Sequence, residues 1–364
     1  MPFDYRTLIR PDVLATPLEP WTNSIEAASE RLGIPVDRLA KMDSNENLYG
    51  PSPKVREALA GFTRHYLYPD PLYVKLRAAL AKHTGATPER IIVGNGLDEV
   101  IDLVMRVLLS PGDGIVDCPP SFEVYGWQAG INHARVVSVP RRADFSLDCE
   151  AVEQAVLADS RVKLIWLTSP NNPDGSLLPR ADLTRLLRLP VFVAVDEAYV
   201  DFAPESHMGL TGESPNLIVL RTFSKGPGLA GLRLGYGVFP RSLADNLWKI
   251  VMPFSVNALA VAAGIAALDD WDYTRRTAAK IVEEREKVFE ELHTFGFLKP
   301  HRSHGCFILC EVIGRSARAL QEALARLGVL VRLVDNPHAR NCLRITIGTP
   351  RETAMLVDAL QRVG

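Results

Sequence analysis

At 364 residues, 47% hydrophobic and 23% charged, the chain is too long for a single core and predicts a large domain with a smaller companion. Its 41 basic and 43 acidic residues leave a formal charge of -2, which excludes the basic field that a nucleic-acid binder needs. The five cysteines (118, 149, 306, 310 and 342) have no paired spacing and the eight histidines no ligand spacing, so reduced thiols are expected and no metal site.

The N-terminus, MPFDYRTLIRPD, has no apolar signal segment. The longest small-and-apolar stretch, Ala258 to Leu268, is shorter than the ~18 residues of a membrane span. A cytoplasmic protein is therefore expected, with no membrane partner.

In chain order, short apolar strands alternate with amphipathic helices, the pattern of an α/β fold with a mostly parallel, seven-stranded sheet. The strands are expected at Ile91–Val93, Gly114–Cys118, Ala134–Val139, Lys163–Thr168, Val191–Val195, Leu217–Arg221 and Leu232–Phe239. After the first of them, Gly94-Asn-Gly turns into a helix with apolar Leu97, Val100, Ile101, Val104, Val107 and Leu108. Another helix is expected over Asp148–Leu157. Beyond Pro253 come long helices (Ala258–Leu268, Tyr273–Leu292), a strand at Phe307–Val312 and a helix at Ala317–Leu327. Strands near Val329–Leu333 and Leu343–Ile347 follow, then a last helix opened by Thr349-Pro-Arg-Glu352, a capping-box spacing with proline at the first helical position. In CFILC, Cys306 and Cys310 would face the same way as Ile308, which suits core packing. The expected division is an N-terminal arm with part of the small domain (1–45), a large domain (46–255) and a small domain (256–364).

Four segments carry chemistry. In IIVGNGLDEVIDL (91–103), the helix N-terminus after Gly96 presents backbone N–H groups at Leu97 and Asp98, a ready anion site. The third glycine of a dinucleotide fingerprint is missing, which discounts a nicotinamide enzyme. LIWLTSPNNPDG (164–175) ends a strand in a rigid polar turn, where Asn171 offers an amide or merely shapes the turn. In VFVAVDEAYVDF (191–202), Asp196 ends an apolar strand, the place where α/β sheets present ligands, and Tyr199 lies three residues on. The alternative is an Asp that caps the following turn. In TFSKGPGLAGLRLG (222–235), Lys225 sits among small residues with Thr222, Ser224 and Arg233 around it. Hydroxyls and an arginine near one lysine suit a phosphate. A solvated loop lysine before a C-cap glycine remains the other reading.

Taken in order, these segments resemble the fold-type I pyridoxal-phosphate aminotransferases. With SNENLYGPSP (44–53), YLYPDP (66–71), CPPSFEVYGW (118–127), MPFSVN (252–257) and CLRITIGTPRE (342–352) added, the resemblance is to their histidinol-phosphate branch and runs over nearly the whole chain. It implies pyridoxal 5'-phosphate held covalently on Lys225, with Lys225, Asp196 and Tyr199 catalytic. Asp196 would face the pyridine nitrogen, Tyr199 and Asn171 the ring oxygen, and Phe122 the ring face. Thr222, Ser224, Arg233 and the N–H groups of Leu97 and Asp98 would hold the phosphate. Tyr68 would reach the neighbouring subunit's cofactor, which implies a homodimer with shared sites.

For substrates, the resemblance gives Arg344 the α-carboxylate of glutamate and joins Arg332 to it for the phosphate of L-histidinol phosphate; a structural ion pair is the other reading of Arg332. Asn45 and Glu46 would border the substrate. The implied reaction is transamination of histidinol phosphate with 2-oxoglutarate in histidine biosynthesis. Four departures stand out: Trp21 and Phe122 in place of the usual tyrosines, Asp174 in place of threonine, and Gly226-Pro-Gly where Ala-Phe is common. Alternatives are a threonine-phosphate-type decarboxylase, an aromatic or other amino-acid aminotransferase that needs Arg344 without Arg332, and a binding module with dead chemistry. Intact Lys225, Asp196, Tyr199 and Arg233 argue against the last.

Overall fold

The computed structural model describes residues 4–15 and 24–364. The Trp21 expectation lies outside the described residues.

Among the described residues, twelve strands form two sheets. In chain order they are β1 (Ala40–Met42), β2 (Ile91–Asn95), β3 (Gly114–Asp117), β4 (Arg135–Ser138), β5 (Val162–Thr168) and β6 (Phe192–Asp196). Then come β7 (Leu217–Thr222), β8 (Leu234–Val238), β9 (Leu298–Pro300), β10 (Phe307–Val312), β11 (Val329–Asn336) and β12 (Ala339–Thr346). The seven-stranded sheet has the order β2-β8-β7-β6-β5-β3-β4. Only β8 runs antiparallel to its neighbours; the other adjacent pairs are parallel. β5, β6 and β7 are almost continuously buried apolar runs, as strands covered on both faces must be.

Register aligns the carboxyl ends of these strands: Thr168 lies opposite Asp196, and Asp196 opposite Leu220. That edge is where an open α/β sheet offers a ligand crevice.

The five-stranded sheet has the order β1-β11-β12-β10-β9, with β1 parallel to β11 and the rest antiparallel. Residues 40–42 thus join a sheet whose other strands lie beyond residue 297. β11 and β12 extend beyond the apolar runs Val329–Leu333 and Leu343–Ile347 into a hairpin. Its turn is closed by Asn336 Oδ1, which accepts from the N–H groups of His338 and Ala339, each at 3.0 Å. The extension is polar and half-exposed, so no apolar pattern marked it. Cys306 and Cys310 are buried in the core of this sheet.

The helix Ala258–Asp269 buries Ala260, Ala263, Gly264 and Ala267, and its alanines belong to the core of the seven-stranded sheet. A Cβ at Gly264 would stand 2.5 Å from Leu234 Cδ2 and 3.3 Å from Leu76 Cδ1, so the helix is seated against the large sheet. The next helix, Trp271–His293, buries Ile281, Val288, Phe289 and Leu292 in the other core. The two helices thus pack into different cores, Ala258–Asp269 with the large sheet and Trp271–His293 with the small one. The last helix, Pro350–Val363, has the expected start: Glu352 Oε2 accepts from Thr349 N at 3.0 Å. Among the described residues, no helix is long and apolar enough to cross a membrane.

Candidate active site

At the carboxyl ends of β5–β7, facing the small sheet, lies a cavity of about 580 Å³ lined by Lys225, Asp196, Tyr199, Asn45, Arg233 and Arg344. It shares Ser44, Phe122, Asn172 and Arg344 with a second cavity, of about 530 Å³, which extends to Arg332 and Arg318.

Lys225 follows β7, and its Nζ donates to the carbonyl of Ser44 at 2.9 Å. Burial depresses the amine, and the nearby Arg344 charge acts the same way against Cys306 and Glu46. The turn that carries the lysine is clamped from both sides. Asn47 Nδ2 donates to Gly226 O at 2.7 Å. A Cβ at Gly226 would overlap the Asp201 carboxylate, and one at Gly228 (φ 71°) would lie 2.9 Å from the carbonyl carbon of Gly50. These contacts account for the two glycines, since a Cβ at either would require Asp201 or the Gly50 backbone to shift.

Asp196 ends β6 and is 3% exposed. Its Oδ1 accepts from Ala198 N at 2.9 Å and its Oδ2 from the Tyr125 hydroxyl at 2.7 Å. Burial, against the opposing pull of those two donors, leaves the carboxyl raised to about 6. Tyr199 is buried against Phe307, with ring centroids 5.0 Å apart, and its hydroxyl accepts from Asn45 Nδ2 at 3.1 Å. Burial pushes this phenol up to about 12, so it stays neutral. Asn45, at φ 56°, is held by Thr346, whose hydroxyl donates to Asn45 Oδ1 at 3.0 Å. Glu46 accepts from Lys41 Nζ at 2.8 Å.

The helix Leu97–Leu108 starts after Gly96 at the cavity wall, which Leu97 and Asp98 line. Gly96 (φ 80°) has no side chain, and a Cβ there would overlap the Arg233 guanidinium. Arg233 Nη1 reaches Ser224 Oγ at 3.5 Å, while Nη2 donates to Asp98 Oδ2 at 2.7 Å. Ser224 N donates to Thr222 Oγ1 at 3.0 Å. Gly235 lets β8 press onto this helix end, since a Cβ would sit 2.5 Å from Leu97 N.

The asparagine turn differs from expectation by one residue. Asn171 Nδ2 is engaged by Pro120 O at 2.9 Å and by the Asp174 carboxylate, so this side chain points into the turn and does not line the cavity. Asn172 lines it instead, and its Oδ1 accepts from Arg344 Nη1 at 2.6 Å. Asp174, which stands where threonine is usual, is the acid that ties Asn171 down.

Arg344 is further held by Asp43 O at 2.8 Å, and burial depresses its guanidinium. Its Nε is buried without a partner among the described residues. Arg332 on β11 stands directly opposite Arg344 on β12, and among the described residues it has no ion-pair partner. Tyr68 lines neither cavity; it is 81% exposed and stacks on Phe254 at 4.6 Å. Phe122 lines both cavities.

The model of the family "Aminotransferase class I and II" matches residues 37–360. The chain belongs to that family. Among curated relatives, this aminotransferase is 45% identical to the histidinol-phosphate aminotransferase of Roseiflexus castenholzii over all of both chains. It is also 45% identical to the chloroplastic histidinol-phosphate aminotransferase of Nicotiana tabacum, over 97% of this chain and 86% of that one. The crystal structure of histidinol-phosphate aminotransferase from Sinorhizobium meliloti, in complex with pyridoxal-5'-phosphate, superposes with a TM-score of 0.88 at 28% identity, covering 98% of each chain.

Three residues of this aminotransferase's cavity region escaped sequence reasoning. Tyr125 and Thr168, whose hydroxyls are 3.0 Å apart, back Asp196. Asn172 was passed over for its neighbour. Tyr125 lies inside CPPSFEVYGW, three residues after Phe122, a spacing that hints at a shared face but does not name a partner.

Proposed function

We propose that this aminotransferase uses pyridoxal phosphate to pass the amino group of L-histidinol phosphate to 2-oxoglutarate. The residues present fit that cofactor. Its aldehyde needs an unprotonated amine, which burial favours at Lys225. Its pyridine nitrogen needs a carboxylate, which Asp196 offers. Its phosphate needs a cation, hydroxyls and free N–H groups, and Arg233, Ser224, Thr222 and the start of the helix at Leu97 make such a cradle around Gly96.

When bound, pyridoxal phosphate supplies a sink for the electrons released as a proton leaves the substrate carbon. Lys225 Nζ takes that proton and returns it to a neighbouring carbon, the work of a neutral amine within reach of both. Asp196 would keep a proton on the ring nitrogen, Tyr199 and Asn172 would offer polar groups to the ring oxygen, and Phe122 would pack on the ring.

The phosphate end is supported by one observation above the others: Arg332 and Arg344 face each other across β11 and β12. Like charges directly opposite are destabilising. A doubly charged phosphate between the two guanidiniums removes that repulsion, and the bidentate geometry of arginine suits it. We further propose a cytosolic homodimer with shared sites. In support, Tyr68 is exposed and lies outside its own chain's cavities, and all five cysteines are buried and unpaired.

The test is a half-reaction. Cofactor-loaded enzyme is mixed separately with L-histidinol phosphate, L-phenylalanine and O-phospho-L-threonine, while the cofactor's visible band is followed and carbon dioxide trapped. Rapid bleaching by histidinol phosphate without gas is expected. Carbon dioxide from phosphothreonine, or bleaching by phenylalanine alone, would overturn the substrate assignment.

A further inference from the structure

Tyr125 is completely buried. Its ring stacks on Trp166 at 4.7 Å with the planes 6° apart, and Phe122 packs edge-on at 5.6 Å. Its hydroxyl lies 2.7 Å from Asp196 Oδ2 and 3.0 Å from Thr168 Oγ1. A carboxylate only accepts, so the phenolic proton goes to Asp196 and the phenolic oxygen accepts from Thr168. With Ala198 N on Oδ1, each carboxylate oxygen holds one fixed donor.

We infer that Tyr125 is a positioning residue: through Asp196 it determines whether the proton shared with the cofactor's ring nitrogen stays on that nitrogen, and Thr168 orients Tyr125 for the task. The inference rests on the cofactor reading above. Burial drives the carboxyl toward its protonated form, as do the charges of Asp98 and Glu197. The Tyr125 and Ala198 donors oppose them, while Lys225 and Arg233 line the same cavity. Burial, then the Asp196 charge, push the phenol well above 10, so Tyr125 remains a donor throughout the working pH range. Removing it leaves one donor against the burial of the acid, and the proton moves from nitrogen to carboxylate.

The experiment uses full-length enzyme loaded with cofactor labelled with 15N in the ring, comparing wild type with Tyr125→Phe, Thr168→Val and Thr168→Ser. The 15N chemical shift reports the nitrogen's protonation directly. The wild type is expected at the protonated position. Tyr125→Phe is expected to move toward the neutral pyridine value, with kcat down about tenfold to a hundredfold and KM within about twofold, the range that loss of a hydrogen bond to a charged group gives. Thr168→Val should move the same way by less, and Thr168→Ser should restore the signal. A folded, loaded Tyr125→Phe enzyme with wild-type shift and kcat would make Tyr125 a packing residue and overturn the inference. Should Tyr125→Phe fail to hold cofactor, Thr168→Val decides, because it leaves the Trp166 stack intact; a wild-type signal there overturns the inference. A wild type that binds no cofactor would overturn the proposed function itself, so the two failures are distinguishable.

Discussion

At the scale of single residues, the small-domain arginines divide by partner. Arg344 is fixed by Asn172 and Asp43, whereas Arg332 has no ion-pair partner among the described residues. Arg332→Ala should therefore lower kcat/KM for histidinol phosphate about tenfold to a hundredfold and leave the glutamate half-reaction within about twofold. Equal losses on the two substrates would make Arg332 structural. Asp201, pressed against Gly226 behind the lysine turn, gives a pH prediction. Burial raises its carboxyl from 3.8 to about 6. The folded state thus binds this proton more tightly than the unfolded chain does. Its contribution to stability is present below pH 3.8 and is lost as pH rises through about 6. Asp201→Asn should stabilise the cofactor-free enzyme by about 2 kcal/mol above pH 6 and by little below pH 4, read as denaturant midpoints across that range. A pH-independent difference would contradict the assignment.

At the scale of elements, the ends of β6 and β7 line the cavity on one side and hold a buried ion pair on the other. Asp196 and Thr222 line the cavity; their neighbours Glu197 and Arg221 do not. Glu197 Oε2 accepts from Arg221 Nε at 3.0 Å and Nη2 at 2.9 Å, and Ser206 and His207 N complete the carboxylate's partners. Removing one member strands the other. Arg221→Met should cost about 3–5 kcal/mol in urea unfolding, and a loss under 1 kcal/mol would mean that water replaces the guanidinium. This pair was not legible in the sequence, because alternation along a strand gives a face and not a partner. The strands themselves were legible: apolar runs such as LIWL and VAV have one stable destination in a two-faced sheet. Asn171 and Asn172 both fit the same turn, and only the Asp174 and Pro120 contacts decide that Asn171 turns inward while Asn172 lines the cavity. The polar hairpin of β11 and β12, and the allegiance of the small-residue helix 258–269, depended on packing that periodicity cannot report.

At the scale of the whole molecule, Tyr66 (82% exposed), Leu67 (53%), Tyr68 (81%), Leu72 (52%) and Met252 (62%) are exposed apolar side chains in two segments that the stacking of Tyr68 on Phe254 brings together. Such side chains, brought together, are expected to meet a partner, and the resemblance puts Tyr68 in a second subunit's site. Sedimentation should show a dimer, and Tyr68→Phe should keep the dimer while raising the cofactor dissociation constant about tenfold. A mixed dimer separates the two possible geometries. If one subunit carries Lys225→Ala and the other Tyr68→Phe, shared sites place both defects in one cavity and leave the other intact, so at limiting cofactor about half the wild-type activity returns. If Tyr68 instead serves its own subunit, each cavity keeps one defect and activity stays at the level of the weakened Tyr68→Phe sites. A stable, fully active monomer would remove the shared site altogether.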